Sequence, residues 1–206
     1  MNKKNLGNSG KVEALIPRSL FSIENCNNLN IDFEELCAIS ISWENGFVSE
    51  LNPLNIGNKK PNKILFPRFV EAHSHIDKSF TWHEFPNLRS TYDGALSVNL
   101  EEHKTRTTKK VLERAEKSLN LAIQNGYRAI RSHIDTYQYQ GDDVWTELFK
   151  LQKKYSTKLQ LQFVALSPLE FWQTEKGKKL AKNLSIQKGI LGGVVVPPFN
   201  KRETSK

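Results

Sequence analysis

The chain has 206 residues, 38% of them hydrophobic, with 30 basic against 22 acidic side chains and a formal net charge of +8. That is enough apolar material for a core, and the length suits one large domain or a domain with a small appendage. The basic residues are spread along the chain. Their densest pairs, Lys109-Lys110, Lys153-Lys154 and Lys178-Lys179, fall on expected helices, which argues for solvated helix faces and against a nucleic-acid groove. No apolar run reaches membrane-spanning length, and residues 1–10 carry lysines without the apolar segment of a signal peptide. A cytoplasmic protein with no membrane partner is expected. Cys26 and Cys37 lack metal-ligand spacing and read as small buried or half-buried apolar residues, not as a disulfide framework.

Residues 11–63 read as short strands broken by Asn, Gly and Pro: Val12 to Ile16, Leu36 to Ser42 and Gly46 to Val48. A small β domain over 1–63 is therefore expected, followed by an α/β domain over 64–206. The run Ile64 to Val70 is rich in strand formers, although Pro67 and Arg68 argue against a central antiparallel position. It leads into His73-Ser74-His75. The connection from His75 to about Arg106 exceeds the usual loop length and is a candidate active-site loop or lid. A helix is expected from Thr107 or Thr108 to about Asn125, with Val111, Leu112, Ala115, Leu119, Ala122 and Ile123 at helical spacing and Gly126 as its stop.

Tyr127 to His133 reads as a strand. Asp142 or Asp143 can cap a helix whose apolar face is Val144, Trp145, Leu148, Leu151 and Tyr155. Leu159 to Leu166 is the next strand, Glu175 to Ile186 the next helix, and Ile190 to Val196 an uninterrupted apolar strand of the kind that helices cover fully. Alternation of strand and helix from residue 64 predicts a parallel sheet with right-handed crossovers. The order holds about four βα units, roughly half of the ~250 residues of an eight-stranded barrel.

The chemistry concentrates at strand ends. On an extended backbone His73 and His75 share a face, with Asp77 continuing the alternation, and two neutral imidazoles on one face can share a divalent ion. Ile130-Arg131-Ser132-His133-Ile134-Asp135 again ends a strand in His and Asp, which suits partners that orient a ligand or substrate. Phe80, Trp82, His83 and Phe85 follow the first motif, and flat rings beside a polar centre suit a planar ligand. Gly192-Gly193 opens no phosphate loop but lets neighbouring side chains approach closely. Nucleophile-elbow, Walker and Rossmann fingerprints do not occur, nor does the HxE with PCxxC signature of the zinc-dependent nucleobase deaminases.

FVEAHSHIDKS (69–79), RAEKSLNLAIQNGYRAIRSHIDT (114–136), LQFVAL (161–166) and GILGGVVVPPF (189–199) together resemble the amidohydrolase superfamily, in its cytosine deaminase-like branch, from about residue 11 onward. The resemblance implies an α/β fold: a partial (β/α)₈ TIM barrel preceded by a small β-sandwich-like segment. It implies one divalent metal ion, Fe2+ or Zn2+, on His73 and His75. It also implies hydrolytic deamination of a small-molecule amino-heterocycle, with Asp77, Trp82, His133, Asp135 and Glu170 as substrate contacts or supports of the ligands.

In that family a third metal histidine, the acid/base glutamate, another histidine and a metal-binding aspartate lie on later segments, so no catalytic acid or base is expected within this sequence. The family's cytosine-contacting glutamine has no counterpart at Ser167-Pro168-Leu169-Glu170. The chain is expected to be truncated relative to that family and weakly active or inactive alone. A second half-barrel chain or a homo-oligomer would then cover its exposed strand edges. Two rival expectations are an HxH phosphoesterase or nuclease of the same barrel superfamily, and a non-enzymatic remnant with a basic binding surface.

Overall fold

In the computed structural model, which describes residues 8–21, 31–32, 34–54, 60–136 and 143–195, the chain divides into two units, Met1–Pro67 and Arg68–Lys206. In the first, β1 (Gly10–Pro17), β2 (Leu36–Glu44) and β3 (Phe47–Pro53) form an antiparallel sheet in the order β1-β2-β3. Asn45 (φ 53°) and Gly46 (φ 80°) join β2 to β3, with Glu44 paired to Phe47 across them. Positive φ at both positions is what a two-residue type I′ hairpin needs, and Asn-Gly supplies it at little steric cost. Gly46, expected to open the third strand, is thus in the turn. Ile16, Cys37, Ile39 and Ile41 form the core of this unit, with Val12 and Phe21 against them. Cys37 is fully buried, while Cys26 lies outside the described residues.

The run from Ile64 is not one strand. Leu15 N donates to Lys63 O (2.8 Å) and Leu65 N to Leu15 O (2.9 Å), so residues 63–65 pair with β1. Pro67, which has no N–H to give to a ladder, separates this piece from the strand that carries the histidines.

In the second unit β4 (Phe69–Ser74), β5 (Tyr127–Asp135), β6 (Gln160–Pro168) and β7 (Ile190–Val194) form a parallel sheet in that order. Helices α1 (Tyr92–His103), α2 (Thr108–Gln124), α3 (Asp143–Tyr155) and α4 (Glu175–Ile186) connect the strands. The stripe Val111, Ala115, Leu119 of α2 is fully buried against the core, joined by Trp145, Leu148 and Leu151 of α3, Leu180 and Leu184 of α4, and Ile130, Ile134, Leu161 and Phe163 of the sheet. Thr107 Oγ1 caps α2 by accepting from Lys110 N at 3.3 Å, and Gly126 (φ 82°) ends the helix as expected. Asp142, an alternative cap for α3, lies outside the described residues, as does Val196.

Two expectations fail here. The connection after His75 is not a loop throughout, because it contains α1. That helix has no apolar stripe: it buries Gly94 and Glu102 and leaves Tyr92, Leu96 and Leu100 exposed, so periodicity could not reveal it. Its cap was readable, with Thr91 Oγ1 accepting from Gly94 N at 3.1 Å. Nor is the apolar strand β7 covered among the described residues, since Leu191 and Val194 are exposed at one edge of the sheet and Phe69 and Val70 at the other. Gly192 behaves as expected for a close approach, because a Cβ there would meet Val164 Cγ1 at 2.6 Å.

Among the described residues no helix is long and apolar enough to cross a membrane. Leu148→Ala, which opens a cavity in the core, is expected to lower unfolding free energy by about 2–5 kcal/mol in urea titration. Leu121→Ala, on the exposed face of α2, should change it by less than about 0.5 kcal/mol.

Candidate metal centre

At Ser74 the strand β4 ends, yet its pairing with β5 continues through side chains. Ser74 Oγ donates to Arg131 O (3.2 Å), Ile76 N donates to Ser132 Oγ (3.0 Å), and Asp135 N donates to Asp77 Oδ2 (3.1 Å). His75 Nδ1 lies 2.9 Å from His133 O. A carbonyl can only accept, so Nδ1 carries the proton and Nε2 keeps its lone pair, the arrangement a ligand histidine needs. These bonds hold residues 74–77 against the C-terminal end of β5, where the chain has already left the extended conformation.

Three imidazoles gather there. The rings of His73 and His75 have centroids 5.3 Å apart and planes at 67°, while His133 stacks on His73 at 4.0 Å and 20°. Imidazole lone pairs lie in the ring plane. The crossing planes of His73 and His75 can therefore share one ion, but the nearly parallel planes of His73 and His133 cannot. This agrees with the finding that no group of three or more His, Cys, Asp or Glu side chains among the described residues could hold a metal ion. The HxH pair fits a divalent ion as two donors of a larger set. His133 packs on His73 with its Nδ1 buried and without a hydrogen bond. Burial, then the nearby Lys78 ammonium, pulls the His75 pKa down to about 4, and burial also lowers that of His133, so both rings are neutral at pH 7.

Beneath the histidines lies an ionic network. Arg106 has a fully buried side chain (0% exposed). Its Nε donates to Glu102 Oε2 (2.7 Å), its Nη1 to Asp135 Oδ2 (3.1 Å) and its Nη2 to Asn99 Oδ1 (3.0 Å), with Asp77 Oδ2 3.8 Å from Nη1. Arg114 Nη1 closes on Glu102 Oε1 (2.5 Å), and Lys78 Nζ reaches both Asp135 oxygens at 2.9 Å. Asp77 is wholly buried with Oδ1 unbonded, and burial, then the Asp135 charge, pushes its pKa up to about 6. Asp135, despite its own burial, is held below the usual carboxylate value by Lys78 and Arg106.

Asp77 and Asp135 thus stand with the histidines at the ends of β4 and β5. Trp82 and Glu170 do not: both are exposed, Trp82 in the loop before α1 and Glu170 in the 3₁₀ turn Leu169–Gln173 after β6. In that loop Phe80 holds φ at 60°, with Lys117 Nζ 4.1 Å from its ring centroid and the neighbouring Ser79 Oγ 2.7 Å from Ser118 Oγ. Sequence reasoning did not find Lys78, Glu102, Arg106 or Arg114. The one available signal was the i, i+4 spacing of Glu102 and Arg106, which is common on solvated helices.

Arg106→Met leaves carboxylates buried without their partner and is expected to cost about 3–5 kcal/mol in denaturant unfolding. A pH dependence follows from Glu102. Burial opposes its charge, but Arg106 and Arg114 outweigh it and leave the folded pKa below the ordinary 4.5. Its stabilising contribution is present above pH 4.5 and is lost as pH falls through the lower folded value. Glu102→Gln should flatten that acid limb in a pH series of unfolding midpoints.

No family model matches the chain. It is 29% identical over 133 residues to the pterin deaminase of Rhizobium rhizogenes, covering 64% of this chain and 30% of that protein. It is 24% identical over 137 residues to the N-isopropylammelide isopropyl amidohydrolase of a Pseudomonas species, covering 64% and 34%. The chain thus spans about a third of the length of these curated relatives. Among solved structures, the 5-methylcytosine deaminase of Klebsiella pneumoniae liganded with 5-fluorocytosine superposes with a TM-score of 0.65 at 17% identity, over 94% of this chain and 45% of that one. The guanine deaminase of C. acetobutylicum gives 0.53 at 12% identity, over 94% and 48%. The chain is thus similar in sequence to part of a pterin deaminase and of an N-isopropylammelide amidohydrolase, and shares its fold with deaminases of known structure.

Proposed function

We propose that these residues form the N-terminal half of a metal-dependent (β/α)₈-barrel hydrolase, preceded by a small β-sandwich-like unit. The proposed reaction is the hydrolytic deamination of an amino-substituted nitrogen heterocycle. The observation that carries this reading is the His73–His75 pair, held at the end of the first parallel strand with crossing ring planes and a fixed His75 tautomer. The relatives' names add pterin, 5-methylcytosine and guanine deaminase to it. His73 and His75 would hold one Fe2+ or Zn2+, whose chemistry when bound is to make hydroxide available near neutral pH.

The chain's own residues prepare that site. His133 O fixes the His75 ring. Lys78 and Arg106 hold Asp135, and Asp77 ties the turn after His75 to the end of β5. Trp82 and Glu170, exposed and apart from the histidines, take no part in holding this site and would meet a substrate or its surroundings only from outside it. Two imidazoles hold an ion weakly, and the reading assigns no proton shuttle among the described residues, so these residues by themselves are expected to turn over little or nothing.

The test is elemental mass spectrometry of the purified chain beside a His73→Ala, His75→Ala double variant, followed by ammonia-release assays on pterin and cytosine. Iron or zinc in the wild type and its loss in the double variant is the expected result. Metal-free wild type, or metal retained by the double variant, overturns the reading. Steeply salt-dependent nucleic-acid binding by a metal-free chain would point to the basic binding remnant.

A further inference from the structure

Helices α3 and α4 leave a hollow between them. It is a cavity of about 370 Å³, the size of a small-ligand site, lined by residues of these two helices alone. Helix α3 leads into β6 and α4 follows it, and β6 is an inner strand of the sheet, so the hollow owes nothing to an open edge. Its floor is apolar: Trp145 and Leu180 are 5% and 8% exposed, Leu184 is fully buried, and Phe149 is half-buried beside them. Its rim carries Lys150 and Lys153, with no Asp or Glu among the lining residues. Lys150 is paired with Glu147 (2.6 Å), whereas the exposed Lys153 makes no ion pair among the described residues. Trp145 Nε1 is buried without a hydrogen bond, although buried N–H groups are bonded as a rule. Phe149 and Phe163 hold its ring, with centroids 5.7 and 6.3 Å away, so this donor is fixed in place.

We propose that this cavity binds an amphipathic carboxylate, a small molecule with an apolar body and one anionic end. The body lies on Trp145, Phe149, Leu180 and Leu184, where it removes apolar surface from water, and the carboxylate meets the Lys153 ammonium. Residues 145, 149 and 153 follow one another at intervals of about one turn, so the wall on α3 runs on the order of 12 Å. That length suits an extended chain better than a compact ring. The polar groups without partners, Trp145 Nε1 and Lys153 Nζ, are both donors. A ligand that brings acceptors therefore fits, and an ionised carboxylate brings nothing else. A cationic head on the same body would meet Lys150 and Lys153 with no acid to offset them. None of the lining residues belongs to the histidine site, and the binding is independent of the function proposed above.

The experiment is titration of the full chain with decanoate, read by calorimetry and by the indole N–H resonances in proton–nitrogen NMR. Decyltrimethylammonium serves as the probe with the same body and the opposite charge. The expected result is one decanoate per chain and a shift of the Trp145 indole resonance, which a Trp145→Phe variant identifies by its absence. Lys153→Glu should weaken decanoate binding about tenfold. Asn183→Trp, at an exposed position of the cavity wall, should abolish it by filling the space. Lys109→Glu, the same charge change on the exposed face of α2, should leave it unchanged. No saturable binding of decanoate, or equal binding of decyltrimethylammonium, overturns the proposal. An equal loss in Lys109→Glu and Lys153→Glu also overturns it, because the effect then comes from net charge. Full affinity in Asn183→Trp, or an unmoved Trp145 resonance, places the ligand elsewhere and overturns it too.

Discussion

The guanidinium of Arg106 is the point on which the rest of the second unit turns. It is fully buried, and it is surrounded by Glu102 from α1, Asp135 from the end of β5 and Asp77 from the turn after β4. A buried cation of this kind is tolerable only when its charge and its donors are matched. Each carboxylate fixes a different segment, so satisfying Arg106 settles the positions of α1, β5 and the histidine turn together. The apolar core has no comparable hold on α1, whose buried side chain of note is a glutamate and whose leucines face outward.

The order of elements from Phe69 onward was legible because α2, α3 and α4 each carry an apolar stripe and the segments between them contain short apolar runs such as Phe163-Val164-Ala165-Leu166. Thr107 and Gly126 marked the ends of α2, and both do so in the structure. What could not be read was anything held by polar contacts. Helix α1 has no hydrophobic periodicity, so a helix fixed by Glu102 and Arg106 looked like a long loop. That the run from Ile64 divides was hidden for another reason: residues 63–65 pair with β1, a contact nearly fifty residues away in sequence, and strand propensity does not say which sheet a strand joins.

At the site, period-two spacing singled out His73 and His75, and repetition of the motif singled out His133 and Asp135. Spacing says which side chains share a face but not how rings are turned. The stacking of His133 on His73, with planes 20° apart, depends on the register between β4 and β5 and is invisible in either segment alone. The carboxylate Asp77 was noticed as a continuation of the alternation. In the fold the backbone has turned by that point, and Asp77 serves instead as an acceptor for the amide of Asp135.

The turn after the histidines has a consequence for which sequences can replace this one. Phe80 sits in the left-handed region, where a bulky side chain is disfavoured by about 1–2 kcal/mol. Glycine would relax the backbone there, yet it would also remove the ring that lies under Lys117 and release the link to α2 next to Ser79 and Ser118. Substitution at this position is therefore pulled in opposite directions by conformational ease and by anchorage. Glycine at residue 80 would exchange the backbone strain for a turn that no longer holds Lys117 and is tied to α2 through the Ser79–Ser118 hydrogen bond.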